Sequence, residues 1–409
     1  MFKVVALLAE FMAASNTQSV KANVLLCVRE YGQELYLFLD EHELLDSSFN
    51  PQPFGELLAV PFKSLHSESH VVEMIQSHLE FEITADCVEL ERSADSMNPH
   101  ARLSRTIEAW LSTFQEIEVQ SLLAHLPKKW EVLGDLVVLP ETAFESDEWG
   151  EIFANISSQH MLDFWHQVAQ SLGGHRLARQ HPIAKDTKRT SQTELLFGEN
   201  GWVEFLDHGI QFGFDATKVM FSSGNVTERR RIGMIDMQGE VVVDAYAGVG
   251  YYSLHMALRS KAKHIHACEI NPDSIHGLTW ACKANGIEQK VTIHQGDNQH
   301  TLPLLYGQAD RCHLGILPSS QPVWSHALRC LKPSGGWLHI HMNVHKDDIE
   351  QWQKSTLQTL QEYALEIGHG WNISVGHLER VKWFSPHIWH VVLDVECRVD
   401  NNESRIHIV

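Results

Sequence analysis

The chain has 409 residues, 44% of them hydrophobic and 21% charged, ordinary globular usage that excludes a disordered or fibrous protein. Its 32 Lys+Arg against 52 Asp+Glu give a net charge of −20, which taken whole speaks against a polyanion-binding protein. Residues 1–150 hold 9 basic and 25 acidic side chains (−16), leaving 23 and 27 (−4) for the remainder, so the acidity belongs mostly to the first third.

In chain order, residues 1 to about 92 predict strands at Val24–Cys27 and Leu35–Leu39 and a helix at His70–His78, with no chemistry of their own. The polar stretch Arg92–Arg105 reads as a linker, and from Ile107 a helical stripe of Trp110, Phe114 and Ile117 begins a second unit. Trp130–Pro140 reads as a strand and Glu141–Gly150 as an acidic surface loop. From Val241 strands and helices alternate: strand Val241–Val243, helix Tyr251–Arg259, strand His264–Cys268, helix Asp273–Asn285 and strand Val291–His294. Strand His313–Leu317, helix Pro322–Leu331, strand Trp337–His341 and a helix from Asp347 follow, then strands Ile373–Val381 and Trp389–Glu396 with no helix between them. Such alternation predicts a parallel sheet covered on both faces, closed by an antiparallel edge hairpin. The expected fold class is α/β, a class I S-adenosylmethionine-dependent (Rossmann-like) transferase domain at 216–409. An acidic N-terminal domain at 1–105 and an α+β domain at 106–215 precede it.

The seven cysteines are odd in number, widely spread and without a CxxC pair, so reduced thiols are expected rather than a disulfide framework or a zinc ribbon. The apolar run Val4–Ala9 ends at Glu10, too short for a signal peptide, and no run reaches the roughly 18 apolar residues of a membrane span. The expectation is a cytoplasmic monomer with no membrane and no metal.

The strand VVVD runs into AYAGVG, which places Asp244 at a strand end and Gly248 and Gly250 in the turn before a helix, where open α/β sheets bind ligands. The third glycine of a dinucleotide fingerprint is replaced by Ser253. Glu269 ends the second strand, 25 residues after Asp244, where a carboxylate can accept from both ribose hydroxyls. Asp297 and Asn298 end the third, where they can read an adenine amine. With no phosphate-cradling lysine motif, adenosine without phosphates is preferred over ATP.

These segments, together with GENGWVEFLDHGIQFGFDATKVMFSSGNVTERRRIG, HLGILPSSQPVW and WHVVLDVECR, resemble the tRNA wybutosine-synthesising aminocarboxypropyltransferase family over roughly residues 120–400. The methyltransferases acting on guanosine 37 N1 of tRNA are its relatives. Those methyltransferases carry an Asn-containing triplet where this chain has Ile316-Leu317-Pro318, and a Pro-Arg pair where it has FSSGN; both differences favour the aminocarboxypropyl reading. The resemblance implies that Ser222, Arg229, Glu269, Asp297, Asn298 and Pro318 contact S-adenosylmethionine, and that Glu228 matches the superfamily's candidate general base. It implies transfer of the 3-amino-3-carboxypropyl group to C7 of 4-demethylwyosine at position 37 of phenylalanine tRNA, releasing 5′-methylthioadenosine. The alternatives are an N1 methyltransferase and a non-catalytic tRNA-binding scaffold.

For tRNA, Gly173–Ser191 offers Arg176, Arg179, Lys185, Lys188 and Arg189 against Asp186. With Lys128, Lys129 and Arg229–Arg231 these are expected to form a cationic face. The pairs His264/His266 and His339/His341 each put two imidazoles on one strand face, but no third metal ligand is evident.

Overall fold

Burial of strand faces organises the first part of the chain. The computed structural model describes residues 19–399 apart from positions 43, 47, 64–70, 73–74, 77, 80, 92–97, 115–117, 182–190 and 221–222. These residues fall into two compact units, 1–109 and 110–409. In the first, β1 (Ser19–Val28), β2 (Gln52–Phe54), β3 (Leu57–Pro61) and β4 (Thr84–Glu91) form an antiparallel sheet in the order β2-β3-β1-β4. Alternation along β1 sends Leu25 and Cys27 into one apolar cluster and Val24 and Leu26 into another. The expected strand Leu35–Leu39 is instead inside a helix, Gly32–Glu41. Leu35 and Leu39 are buried while Tyr36 and Leu37 are exposed, the i, i+4 spacing of a helix face. The expected linker also yields a helix, Pro99–Leu111, which begins eight residues before the predicted Ile107. Ile117 lies outside the described residues, as do positions 70, 73, 74 and 77 of the expected helix His70–His78.

In the second unit, Trp130–Pro140 proves to be a hairpin rather than one strand: β5 (Glu131–Leu133) turns through Gly134 at φ +61 into β6 (Leu136–Leu139). The supposed loop after it contains a helix, Asp147–Asn155, capped by Ser146 and anchored by the fully buried Trp149. With β7 (Arg176–Arg179) and β8 (Glu194–Phe197), a four-stranded sheet runs β5-β6-β7-β8. Then β9 (Trp202–Asp207) and β10 (Ile210–Asp215) pair through His208 and Gly209, both at positive φ, as a two-residue type I′ turn requires. The expected boundary at 215 does not separate compact bodies: Leu136, Val138 and Ala178 share one core with Val203, Phe212, Val242 and Leu278.

The remaining strands are β11 (Val241–Asp244), β12 (His264–Glu269), β13 (Val291–Gln295), β14 (Arg311–Leu314), β15 (Gly335–His345), β16 (Trp371–Ser385) and β17 (Ile388–Val399). They form one sheet in the order β13-β12-β11-β14-β15-β17-β16. The first five are parallel, and β17 runs antiparallel to both neighbours, as the missing helix between the last two strands predicts. The order reverses between β11 and β14, so the crevice for a ligand opens at the carboxyl ends of the central strands.

Candidate active site

A cavity of about 460 Å³ opens at that reversal point, within the size range of small-molecule sites. One wall comes from the turn after β11. Gly248 sits at φ +56, where a Cβ would collide with the Tyr251 ring, so the site needs glycine here. Its N–H donates to Glu269 Oε2 at 2.7 Å, while Glu269 Oε1 accepts from the backbone of Ile270 (2.8 Å) and Asn271 (2.7 Å). Burial pushes the Glu269 carboxyl up and these three N–H groups oppose the shift. Glu269 therefore ties the ends of β11 and β12 together and lines the cavity as well. Asp297, exposed, and Asn298, half-buried, line the next edge; Asp297 Oδ1 also caps the short helix Asn298–Thr301 through Gln299 N at 2.8 Å.

Other expected contacts fall elsewhere. Asp244 is wholly buried, is not part of the cavity lining, and accepts from Ser253 Oγ at 2.7 Å. Gly250, at φ +98, is also outside the lining, and a Cβ there would strike Leu254 and Leu278, so its role is close packing of helix on sheet. Ile316 and Leu317 line the cavity but Pro318 does not; its carbonyl accepts from Asn343 N at 3.0 Å. Arg229 lines the cavity while 1% exposed, and its Nε donates to Asp207 Oδ2 at 2.6 Å. Ser222 lies outside the described residues.

Glu228, the expected base, is not brought to the cavity lining. It is fully buried and accepts from Arg231 through both oxygens, at 2.7 and 2.8 Å. A base must reach the proton it removes, and here the carboxylate is held by Arg231 away from the cavity lining. The cationic face also changes. Arg176 is paired with Asp135, Arg179 with Glu145 and Glu194, and Arg231 with Glu228 and Asp394, so these guanidinium groups are already committed within the chain. Lys128 and Lys129 are exposed, and Lys185, Lys188 and Arg189 lie outside the described residues.

Of the polar floor of the cavity, the sequence reading marked only the His339/His341 pair. His341 and His390 line the cavity beside Tyr252 and Asn225, with His313 and His339 buried behind them. Arg311 donates to His339 Nε2 at 3.0 Å and Asp394 Oδ1 lies 2.6 Å from His339 Nδ1. Arginine can only donate, so Nε2 is bare and the proton sits on Nδ1; His339 is neutral. The available signal was WHVVLDVEC, where His390 and Asp394 share a face of an otherwise apolar strand, and a buried polar residue is the informative one. Among the described residues no group of three or more His, Cys, Asp or Glu is placed to hold a metal ion. No helix among them is long and apolar enough to cross a membrane.

Burial pushes His339 and His390 down to about 4 and His341 well below its ordinary value. Folded-state values below the unfolded 6.5 mean that neutral burial stabilises the fold fully above pH 6.5, and that this contribution is lost as pH falls toward 4. The urea midpoint is therefore expected to fall steeply between pH 6.5 and 4, by on the order of a few kcal/mol in stability. A midpoint that stays flat over that window contradicts the buried neutral imidazoles.

The family model described as the TRM5/TYW2 methyltransferase domain matches residues 204–370, and the TYW2 N-terminal domain matches 114–201. The zebrafish (Danio rerio) tRNA wybutosine-synthesizing protein 2 homolog is 36% identical over 341 residues, covering 76% of this chain and 81% of that protein. The Arabidopsis thaliana tRNA wybutosine-synthesizing protein 2/3/4 is 43% identical over 279 residues, 68% of this chain. This chain spans only about a quarter of that plant protein's length, 27%. The crystal structure of P. horikoshii TYW2 in complex with MeSAdo matches with a TM-score of 0.58 and 26% identity, over 73% of this chain and 100% of that one.

Proposed function

Because the chain belongs to the wybutosine-synthesizing protein 2 family, we propose that it transfers the 3-amino-3-carboxypropyl group of S-adenosylmethionine to C7 of 4-demethylwyosine at position 37 of phenylalanine tRNA. The enzyme is proposed to act as a cytoplasmic monomer. The observation that supports the reading is the lining of the cavity, which includes Glu269, Asp297 and Asn298, suited to a ribose and an adenine, together with a buried cation, Arg229, suited to a carboxylate. Apolar Ile316 and Leu317 line it where the related N1 methyltransferases carry an asparagine.

The residues present fit the donor. Glu269 and Asp297 offer oxygens not saturated by their backbone bonds, and the buried Asn225 Oδ1 and His390 Nδ1 have no hydrogen-bond partner among the described residues. When bound, S-adenosylmethionine supplies a sulfonium whose three carbons are all open to displacement. Methyl is intrinsically the most reactive, so the chain must select by position. Arg229 and its Asp207 partner fix where a carboxylate can sit, Glu269 and Asp297 fix the nucleoside, and the carbon that faces the acceptor follows from these two anchors. Trp383 and Phe384, 51% and 57% exposed on the β16–β17 hairpin, give a stacking platform for RNA bases on the hairpin that also carries His390. Lys185, Lys188 and Arg189 are proposed as phosphate contacts.

The decisive experiment incubates purified protein and 4-demethylwyosine-containing tRNA with S-adenosylmethionine labelled either in the methyl or in the carboxyl group. Carboxyl label in tRNA with methyl label in released methylthioadenosine is expected. Methyl label in tRNA overturns the reading.

A further inference from the structure

Three imidazoles run inward from the cavity wall. His390 Nε2 lies 3.0 Å from His341 Nδ1, and His341 Nε2 lies 3.2 Å from His313 Nε2. His313 Nδ1 lies 3.5 Å from Asp244 Oδ1 without a hydrogen bond between them, so the carboxylate acts on it through charge alone. All three rings are at most 1% exposed. At the cavity end, His390 Nδ1 is buried and has no hydrogen-bond partner among the described residues.

A neutral imidazole carries one N–H and one bare nitrogen, so fixing the proton at one end of such a row fixes it at every link. The Asp244 carboxylate favours the proton on His313 Nδ1. His313 Nε2 is then bare and must face an N–H on His341 Nε2, and His341 Nδ1 is bare and must face an N–H on His390 Nε2. This leaves a bare lone pair on Nδ1 of His390, a residue that lines the cavity. Around the row stand Tyr252, 4.3 Å from the His313 ring and 5.1 Å from that of His341, and the cations Arg231 and Lys382. Burial lowers both, followed by the neighbouring His313, His390 and His339 rings and then Arg231 for His341, and by Lys382 for His390.

We infer that His390 Nδ1 is the base that removes the C7 proton of the tricyclic base, with His341 and His313 relaying charge toward Asp244. The inference rests on the aminocarboxypropyl reading above. Once the new carbon–carbon bond has formed, the acceptor ring carries a positive charge. The C7–H bond breaks, its electron pair returns to the ring, and the proton goes to His390 Nδ1. The Nε2 proton of His390 moves to His341 Nδ1 and that of His341 Nε2 to His313 Nε2, so the positive charge comes to rest beside Asp244. A weakly basic nitrogen suffices, because its acid is a cation that regains aromaticity on losing the proton. Glu228, held by Arg231 outside the cavity lining, is not placed for this step.

The test is His390→Ala in the full chain. S-adenosylmethionine affinity by calorimetry is expected to stay within about threefold of wild type while turnover falls by about 10²-fold or more. With C7-deuterated tRNA base, wild type should show an isotope effect near 1 and the variant one above about 2, since proton removal becomes limiting. Free imidazole should restore part of the rate. An active variant, or an inactive one that binds donor yet shows neither isotope effect nor rescue, overturns the assignment. If His390→Ala loses donor binding, side-chain ¹⁵N shifts of wild-type His390 decide: a bare Nδ1 and protonated Nε2 are expected, and the opposite tautomer overturns it. Failure of wild type to transfer any aminocarboxypropyl group instead sinks the parent reading.

Discussion

Glu269→Ala is expected to weaken S-adenosylmethionine binding by about 10²-fold or more, because each hydrogen bond to a charged group contributes about 1.5–3 kcal/mol and several are lost together. The substitution strips the Gly248, Ile270 and Asn271 N–H groups of their acceptor, so the turn after β11 loses its tie to β12 as well as the oxygen proposed for the ribose. Glu269→Gln keeps one carbonyl acceptor but no charge, and an intermediate loss is expected. Calorimetric titration with donor and with methylthioadenosine measures both. Donor affinity within about threefold of wild type for Glu269→Ala would show that this carboxylate is purely structural.

The second large effect concerns stability. Arg231 bonds Glu228 at 2.7 and 2.8 Å and Asp394 at 2.7 and 3.1 Å; Glu228 is 0% and Asp394 4% exposed. Burial pushes the Glu228 carboxyl up, with Arg231 opposing. Burial acts the same way on Asp394, but its polar neighbours, the His339 ring and Arg231, outweigh it and hold the carboxyl below its ordinary range. Arg231→Met leaves two neighbouring buried carboxylates without their shared cation, and breaking a buried pair in this way costs about 3–5 kcal/mol. Adding Glu228→Gln to Arg231→Met should recover part of that loss by removing one of the stranded charges. Urea unfolding followed by circular dichroism reads both variants. A loss below about 1 kcal/mol for Arg231→Met would mean that water or rearrangement replaces the cation.

The α/β alternation was legible because each strand of the second half is a short apolar run bounded by turn residues, and that pattern depends only on neighbours in sequence. For the same reason Gly248, Glu269, Asp297 and Asn298 stood out: strand ends and the turns after them are local features. The first unit was less legible, since Leu35–Leu39 is apolar enough to suit either period and only packing against β3 and its neighbours decides for a helix. Arg176, Arg179 and Arg231 looked like free cations because their carboxylate partners, among them Asp135, Glu145 and Asp394, lie 41, 34 and 163 residues away.

What the sequence determined by itself was therefore the strand–helix alternation, the carboxylates at the strand ends that are proposed to hold an adenosine, and the departures from the N1 methyltransferases. The row of His390, His341 and His313, and the burial of Asp244 at its end, came only from the sheet. Strand order brings β14, β15 and β17 side by side from positions far apart in the chain, and register sets His339 opposite Asp394. A polar side chain on such a strand reads in sequence as an isolated exception to an apolar run. It becomes a network only when neighbouring strands place a donor and an acceptor within hydrogen-bonding distance and exclude water from both.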